Sequence, residues 1–206
     1  MTKKFLNAII FFSCIFLCIF LQGAVVQSNK DEVHVKNNVF EVHYSQKLEQ
    51  PVWLIYHSKN RPTTVNRGSM DFYTEPNIKT SDNLDYKNNQ WDKGHLAPAA
   101  SFSDNMENLK QTFSYLNCAL QNQDLNRGEW RLLEEQERVW DDNENLVIKI
   151  DLIFDEKSQK LPTGATVPTS LVKHINFTKS NSWKCYKFEN VKPLKKWAEH
   201  QVNCKH

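Results

Sequence analysis

The sequence predicts an α+β domain with a largely antiparallel central sheet flanked by helices. Segments with the alternation of β-strands recur along the chain, and segments with an amphipathic helical pattern lie between some of them. Strands and helices do not alternate regularly, as they do in parallel α/β folds. A chain of 206 residues is long enough for one domain with a substantial core and too short for two large domains.

The strand predictions cover 39–44, 51–57 and 146–154, followed by a hairpin formed by 172–177 and 183–188. The helix predictions are a short amphipathic helix within 103–116, a strong helix over 125–140 with Asp124 as its N-cap, and a final helix over 193–202. Residues 29–38 are polar and predict a frayed start. Residues 58–90 contain few apolar side chains and predict a long excursion, which in a compact domain is typically functional.

The N-terminal segment has the pattern of a targeting sequence. Lys3 and Lys4 precede an apolar, uncharged run from Phe5 to about Val26, and small residues near its end favour cleavage between positions 23 and 29. We therefore expect a signal peptide over 1–28 and a single domain over 29–206. This pattern predicts a secreted or periplasmic protein, with an uncleaved membrane anchor as the alternative.

The charge balance of the domain limits how it could hold nucleic acid. The whole chain has 26 basic and 24 acidic residues, so removal of Lys3 and Lys4 leaves 24 of each. A protein that binds nucleic acid through bulk charge should be basic overall. Any affinity of this domain for nucleic acid must therefore come from a local cluster of residues.

Three cysteines lie beyond the predicted leader: Cys118, Cys185 and Cys204. In an exported chain they would meet oxidising conditions, which favours one disulfide. Pairing of Cys185 with Cys204 would tie down the C-terminal segment, and three free thiols are the alternative. No pair of cysteines or histidines has zinc-finger spacing, which argues against a structural zinc protein.

The segment Asp92-Lys93-Gly94-His95 carries the first candidate chemistry. Histidine titrates near neutral pH and can take a proton from water, and a neighbouring lysine can bind a phosphate oxygen. Gly94 allows the backbone to pack closely just before the histidine. Taken alone, this segment is a weak signal, because a lone histidine is more often structural.

A second candidate cluster lies on the predicted helix that follows. Asn126 falls in its first turn, and Glu134 lies eight residues later, about 80° around a regular helix, so both side chains can line one side. An amide oxygen suits Mg²⁺, which takes few protein ligands and retains several waters. Glu134 could orient one of those waters. The alternative is that Asn126 helps to cap the helix and Glu134 is a solvated charge.

Three segments together resemble the DNA/RNA non-specific endonuclease family. That family carries Asp-Arg-Gly-His-x-Ala-Pro, then Tyr-Leu-Ser-Asn, then Leu-Asn-x-x-x-Trp-x-x-Leu-Glu. The corresponding segments here are 92–98, 115–117 and 125–134, in the same order and at similar spacing. The resemblance covers about residues 39–190.

The resemblance implies a ββα-metal (His-Me finger) fold, in which a hairpin delivers the histidine and the next helix delivers the asparagine. It implies that His95 is the general base, that Asn126 is the direct ligand of one Mg²⁺, and that Glu134 orients metal-bound water. It also implies that Asn117 helps to place the base or the metal water, and that Arg67 contacts phosphate. Lys93 stands where the family has arginine, so two-pronged phosphate binding is lost there.

The implied function is metal-dependent hydrolysis of DNA and RNA with little sequence specificity, because only the phosphate backbone takes part. Mn²⁺ or another divalent cation is expected to substitute for Mg²⁺. The partners are nucleic acid substrates; no stable protein partner is predicted, and a homodimer stays open because the family includes homodimers. The alternative is a catalytically inactive relative that binds nucleic acid or a protein.

Overall fold

The structure, a computed structural model, describes residues 25–28 and 31–204. Within these residues it has a long antiparallel sheet, a separate two-stranded hairpin and a few helices. The strands are β1 (Val25–Ser28), β2 (Glu32–Lys36), β3 (Phe40–Ser45), β4 (Gln50–Ser58), β5 (Trp91–His95), β6 (Cys118–Asn122), β7 (Leu146–Ile153), β8 (Ser170–Phe177), β9 (Ser182–Glu189) and β10 (Gln201–Val202). The predicted α+β class is confirmed.

The main sheet has the strand order β1-β2-β3-β4-β7-β8-β9-β10, and each neighbouring pair is antiparallel. Strand β7 lies near the centre, where every second residue from Leu146 to Leu152 is buried. This alternation follows from the two-residue period of a strand with one face on the core. The hairpin predicted from 172–177 and 183–188 is present as β8 and β9.

Two predictions at the ends of the domain were wrong. The polar segment at 29–38 contains β2, which pairs with β3 and buries Val33 and Val35, so this part of the chain belongs to the sheet. The helix expected over 193–202 is a single 3-10 turn, Trp197–His200, followed by β10. The predicted disulfide between Cys185 and Cys204 is present. It holds the C-terminal segment against β9.

The helical elements are α1 (Met106–Thr112), α2 (Gln123–Leu125), a π-helical turn (Asn126–Trp130) and α3 (Arg131–Asp141), besides short 3-10 turns at Ala99–Phe102 and Tyr115–Asn117. The N-cap of α2 is Asn122 instead of the predicted Asp124. The Asn122 side chain accepts hydrogen bonds from the backbone N–H groups of Asp124 and Leu125. The first turn therefore starts two residues earlier than the sequence pattern suggests.

Buried polar contacts fix α3 to the main sheet. The ammonium of Lys173 on β8 donates to Glu137 on α3 at 2.8 Å, and both side chains are almost fully buried. Glu137 also accepts a hydrogen bond from the hydroxyl of Tyr56 on β4 at 2.6 Å. The Lys173 ammonium lies 4.1 Å from the ring centre of Trp130. Trp130 is the last residue of the π-helical turn, so this contact holds the end of the turn against the sheet. Breaking one partner of such a buried pair typically costs about 3–5 kcal/mol, so the helix is held firmly in place.

Candidate active site

The two-stranded hairpin places His95 at the end of a strand that leads into buried chain. Strand β5 pairs with β6 from Trp91↔Asn122 to His95↔Cys118. Asn122 ends β6 and at the same time caps α2, so the hairpin leads directly into the helical segment. Residues 92–95 and 126–134 are thereby joined in one rigid ββα unit.

Gly94 is required by close packing within this hairpin. A methyl group built on its Cα would lie 2.7 Å from Cβ of Gln121 on β6, a distance that real side chains do not tolerate. Gln121 is fully buried, and its side-chain oxygen and nitrogen have no hydrogen-bond partner among the described residues. The sequence prediction of close backbone packing at Gly94 is confirmed.

The substitution Gly94→Ala is expected to destabilise the fold by about 1–3 kcal/mol, because the added methyl overpacks the hairpin. Urea unfolding measures this effect. Combining Gly94→Ala with Gln121→Gly removes the clashing side chain together with its Cβ, so the double variant should be less destabilised than the sum of the two single variants. Simple additivity of the two substitutions would contradict the packing argument.

His95 lies between aromatic rings. Its ring centre is 4.6 Å from that of Phe72 and 4.9 Å from that of Phe113, which it meets edge-on. Nε2 of His95 is buried and has no hydrogen-bond partner among the described residues. Burial, together with the Arg67 guanidinium, lowers the pKa of His95 to about 3. The imidazole is therefore neutral at physiological pH and keeps a lone pair for a proton.

The two residues predicted to bind phosphate, Arg67 and Lys93, differ in whether a carboxylate already pairs with them. The Arg67 guanidinium is 5.1 Å from the ring centre of Phe113, and its side chain is otherwise held by a long hydrogen bond to the carbonyl of Met70. Lys93 is paired: its ammonium donates to Asp71 at 2.6 Å, and this contact lowers the pKa of the Asp71 carboxyl. A phosphate would have to displace Asp71 to reach Lys93, whereas Arg67 makes no ion pair with a carboxylate among the described residues, although its charge also helps to lower the pKa of Asp71.

Asn117 supports the chain that follows His95. Its side-chain oxygen accepts the backbone N–H of Ala97, and its nitrogen donates to the carbonyls of Ala97 and Thr112. The side chain is fully buried, and these backbone groups occupy its polar atoms. Asn117 therefore lies where it can place His95 through the backbone, and its amide is not free to hold a metal-bound water.

Asn126 is oriented by a carboxylate from the hairpin. Its Nδ2 donates to Asp92 at 3.0 Å, while Arg127 donates to both oxygens of the same carboxylate at 2.7 and 2.6 Å. Burial raises the pKa of Asp92, but these hydrogen bonds outweigh it and the net pKa is lowered. With its nitrogen fixed, Asn126 turns Oδ1 away from Asp92, and no described residue donates a side-chain hydrogen bond to that oxygen.

Glu134 lies on α3 beside the buried Lys173–Glu137 pair. Its Oε1 is out of contact with solvent and has no hydrogen-bond partner among the described residues. Burial raises the pKa of Glu134 to about 7; the Lys173 ammonium acts against this rise, and the Glu137 carboxylate adds to it. The alternative of a solvated surface charge is thereby excluded.

The raised pKa of Glu134 predicts a pH-dependent cost to stability. The carboxyl titrates near 4.5 in an unfolded chain and at about 7 in the fold, so its contribution is fully present below pH 4.5 and is lost as the pH rises through 7. In EDTA, Glu134→Gln is expected to be more stable than the wild type by roughly 2 kcal/mol at pH 8, with no advantage below pH 4.5. Urea unfolding across this range measures the difference.

Glu135→Gln is the matched control, because Glu135 is exposed and pairs with Arg131 on the helix surface. Its stability difference from the wild type should change little between pH 4.5 and pH 8. Parallel pH profiles for the two variants would refute the burial argument for Glu134.

The described residues offer no ready-made cage for a metal ion: no group of three or more histidine, cysteine, aspartate or glutamate side chains among them is arranged to bind one. They do fit an ion with a single protein ligand and a shell of waters. Oδ1 of Asn126 is available, and the unpaired oxygen of Glu134 lies on the same helical segment. Mg²⁺ retains several waters and is held by few protein groups, so this donor set suits it.

Sequence reasoning missed several residues that build the site. Phe72 and Asp71 come from the excursion predicted over 58–90, where only the scarcity of apolar residues gave a signal. Phe113 was assigned to a helix face, yet it packs against His95. Arg127 occupies a variable position of the family motif, and only the structure shows that it clamps Asp92. The residues around His95 and those around Asn126 form two neighbouring groups, connected through strand β5.

A two-stranded hairpin that ends in a histidine and leads into a helical segment bearing an asparagine defines a ββα-metal fold of the nuclease type. The sequence profile of the DNA/RNA non-specific endonuclease family matches residues 22–206. The chain belongs to this family.

Individual relatives support the assignment. The mitochondrial nuclease EXOG of Xenopus laevis is 31% identical over 96 residues, which make up 44% of this chain and 27% of that protein. The mitochondrial endonuclease G of Bos taurus is 34% identical over 102 residues, 46% of this chain and 33% of that protein. The matched part thus spans a third or less of these relatives.

A solved structure supports the fold. A chain in the crystal structure of the EndoG/EndoGI complex superposes with a TM-score of 0.70 at 21% identity, covering 86% of this chain and 80% of that chain. At this identity the likeness shows the fold alone, and it agrees with the α+β, ββα-metal architecture described above.

The predicted secreted or periplasmic location was wrong, since the relatives are mitochondrial nucleases. Basic residues followed by an apolar run show only that a segment is hydrophobic, and this pattern does not identify the compartment to which the protein is sent. Most of the predicted leader, residues 1–24, lies outside the described residues, and Val25–Ser28 forms β1. Among the described residues, no helix is long and apolar enough to cross a membrane.

Proposed function

We propose that this protein is a divalent-metal-dependent endonuclease that hydrolyses phosphodiester bonds of DNA and RNA with little sequence preference. The observation that carries the proposal is a neutral histidine, His95, fixed on the same hairpin as the carboxylate that orients Asn126. Strand β5 thus carries both the imidazole that can accept a proton and the carboxylate of Asp92, which orients the Asn126 side chain whose oxygen can bind a cation.

In this proposal His95 accepts the proton of the attacking water. Its lone pair is free at neutral pH, and the rings of Phe72 and Phe113 hold the imidazole in one orientation. Asn117 fixes the backbone two residues later, which limits the movement of the histidine. The position of the base is therefore set before substrate binds.

Asn126 would hold Mg²⁺ through Oδ1, and Glu134 would accept a hydrogen bond from one of the ion's waters. The bound ion would supply charge stabilisation for the phosphate and the departing oxygen. Arg67 would bind a phosphate oxygen beside His95. Lys93 would bind one after its ion pair with Asp71 opens. Because these contacts reach only the backbone of the nucleic acid, little sequence preference follows.

Incubating the full chain with plasmid DNA and with RNA tests the proposal. Cleavage of both substrates is expected in Mg²⁺ and also in Mn²⁺, and none in EDTA. Cleavage that persists in EDTA would contradict the metal dependence. Binding of nucleic acid without cleavage in any divalent cation would instead support an inactive binding relative, and gel-filtration mass measured alongside reports whether the protein is a homodimer.

A further inference from the structure

The Cys185–Cys204 disulfide lies beside an imidazole and a carboxylate on the sheet face away from α3. Lys173 points toward α3, so its neighbour His174 points to the opposite face. Nδ1 of His174 is 3.3 Å from Sγ of Cys185, and Nε2 of His174 is 3.0 Å from Oδ2 of Asp151. The three side chains come from the adjacent strands β9, β8 and β7, so the sheet itself fixes their arrangement.

We propose that this disulfide is a thiol–disulfide exchange site, at which a small-molecule thiol of the glutathione class attacks Cys204. The two sulfurs differ in access: Cys185 is 1% exposed, whereas Cys204 is partly exposed. Cys204 also lines a surface groove with Ile55, Val147 and other side chains of the sheet, and this groove gives a thiol a path to the sulfur. Attack is therefore directed to Cys204, with Cys185 as the leaving group.

The exchange step is balanced without an oxidant or reductant. The external thiolate forms a bond to Sγ of Cys204 while the Cys185–Cys204 bond breaks, and the electron pair leaves on Sγ of Cys185. With Asp151 accepting from Nε2, a protonated His174 donates from Nδ1 to the new Cys185 thiolate. Stabilising the leaving thiolate speeds this step, so His174 acts as a positioned hydrogen-bond donor and Asp151 as its support.

The remaining cysteine of the described residues lacks these features. Cys118 is fully buried, and burial raises the pKa of its thiol well above the ordinary range, although Tyr86 contacts the sulfur. It is expected to stay unmodified. Exchange is thus a property of the His174 neighbourhood and does not extend to every cysteine in the fold.

Opening the disulfide would release the C-terminal strap, defined here as residues 196–204. The strap contacts the helical segment through the backbone N–H of Trp197, which donates to Glu129 at 2.6 Å. Glu129 belongs to the π-helical turn that begins at Asn126. Exchange at Cys204 should therefore loosen this turn, whether or not the chain is a nuclease.

The test treats the oxidised full chain with glutathione, alkylates free thiols after set times and maps both modifications by peptide mass spectrometry. The expected products are glutathione on Cys204 and alkylated Cys185. His174→Gln should slow the opening by about tenfold, and Asp151→Asn should slow it by a smaller factor. The matched control is His43→Gln, because His43 makes a similar contact with a carboxylate, that of Glu32, far from the disulfide; its rate should equal that of the wild type.

Equal opening rates in the wild type, His174→Gln and Asp151→Asn would overturn the proposal, as would glutathione placed mainly on Cys185. Hydrogen exchange gives a second reading: opening should speed exchange in residues 126–130 and in the strap, and leave α1 unchanged. Unchanged protection at 126–130 would overturn the link to the helical turn. None of these readings depends on nuclease activity, so failure of the proposed function would be seen separately.

Discussion

Replacing His95 by alanine is expected to lower the rate of phosphodiester cleavage by about a thousandfold, the usual range for losing a positioned general base. The imidazole is the group near Arg67 that is neutral and able to accept a proton at physiological pH. Single-turnover cleavage of a defined oligonucleotide in Mg²⁺ measures the chemical step. The fold should persist, because Nε2 of His95 has no hydrogen-bond partner among the described residues that would be left unsatisfied.

His57→Ala is the matched control for this substitution. His57 is exposed on β4 and lines a different surface groove, together with Lys59 and Lys36. Its loss should change the rate by less than about twofold, since surface substitutions away from the site have small effects. A rate for His95→Ala within a few-fold of the wild type would remove His95 from the role of base.

Replacing Asn126 by alanine is expected to reduce cleavage by a factor on the order of a thousand at fixed Mg²⁺, because the amide oxygen proposed to bind the ion is removed. The Mg²⁺ concentration needed for half-maximal cleavage should rise strongly in this variant. Direct titration with Mn²⁺, followed by its spin-resonance signal, measures metal affinity without relying on activity.

Asn143→Ala provides the comparison for the metal titration, since Asn143 is an exposed amide just beyond α3. Its metal affinity and cleavage rate should match those of the wild type. Unaltered Mn²⁺ affinity in Asn126→Ala would show that the ion is held elsewhere. The Asp92 carboxylate would then be the first alternative ligand to examine, because it lies 3.0 Å from the Asn126 amide.

Local patterns predicted the centre of the fold well. The strands at 39–44, 51–57 and 146–154 and the hairpin near the C-terminus were found because one face of each is buried and the apolar residues alternate. The ββα unit was implied only by the resemblance of its three motifs to the endonuclease family, because no local pattern predicted strands β5 and β6. The candidate catalytic residues of this unit, His95, Asn126 and Glu134, could be named from the sequence because their residue types suit a general base and a magnesium site.

The ends of the domain could not be predicted in the same way. Strand β2 contains only two buried apolar residues, Val33 and Val35, among polar ones, and its pairing with β3 decides its conformation. At the other end, the disulfide and the packing of Trp197 against Trp140 and Tyr186 override the helical pattern. Contacts with distant parts of the chain outweigh local propensity in both places.

The helix that carries Asn126 and Glu134 shows where regular geometry fails. The prediction placed the two residues by counting 3.6 residues per turn, but the chain forms a π-helical turn at Asn126–Trp130, with Gly128 out of helical conformation. Such bulges are frequent at functional sites. The sequence contains Gly128, yet nothing in its pattern fixes the extra residue of the turn.

The ion-pair partners and the pKa values of the site residues could not be predicted from the sequence either. Lys93 was expected to offer a free charge to phosphate, and the structure pairs it with Asp71, a residue 22 positions earlier in the chain. Similarly, the burial of Glu134 depends on Lys173 and Glu137, which meet only after β8 packs on α3. Motifs identify which groups are present, whereas folding decides their partners and their pKa values.

Chemical rescue of His95→Ala by free imidazole tests the role of His95 most directly. Removing the side chain leaves a space bounded by the rings of Phe72 and Phe113, and imidazole has the shape to occupy it. Added imidazole is expected to restore Mg²⁺-dependent cleavage by His95→Ala in a saturable manner and to leave Asn126→Ala inactive. Cleavage by His95→Ala that stays at its low level at every imidazole concentration, while the variant remains folded, would contradict the role of His95 as the base.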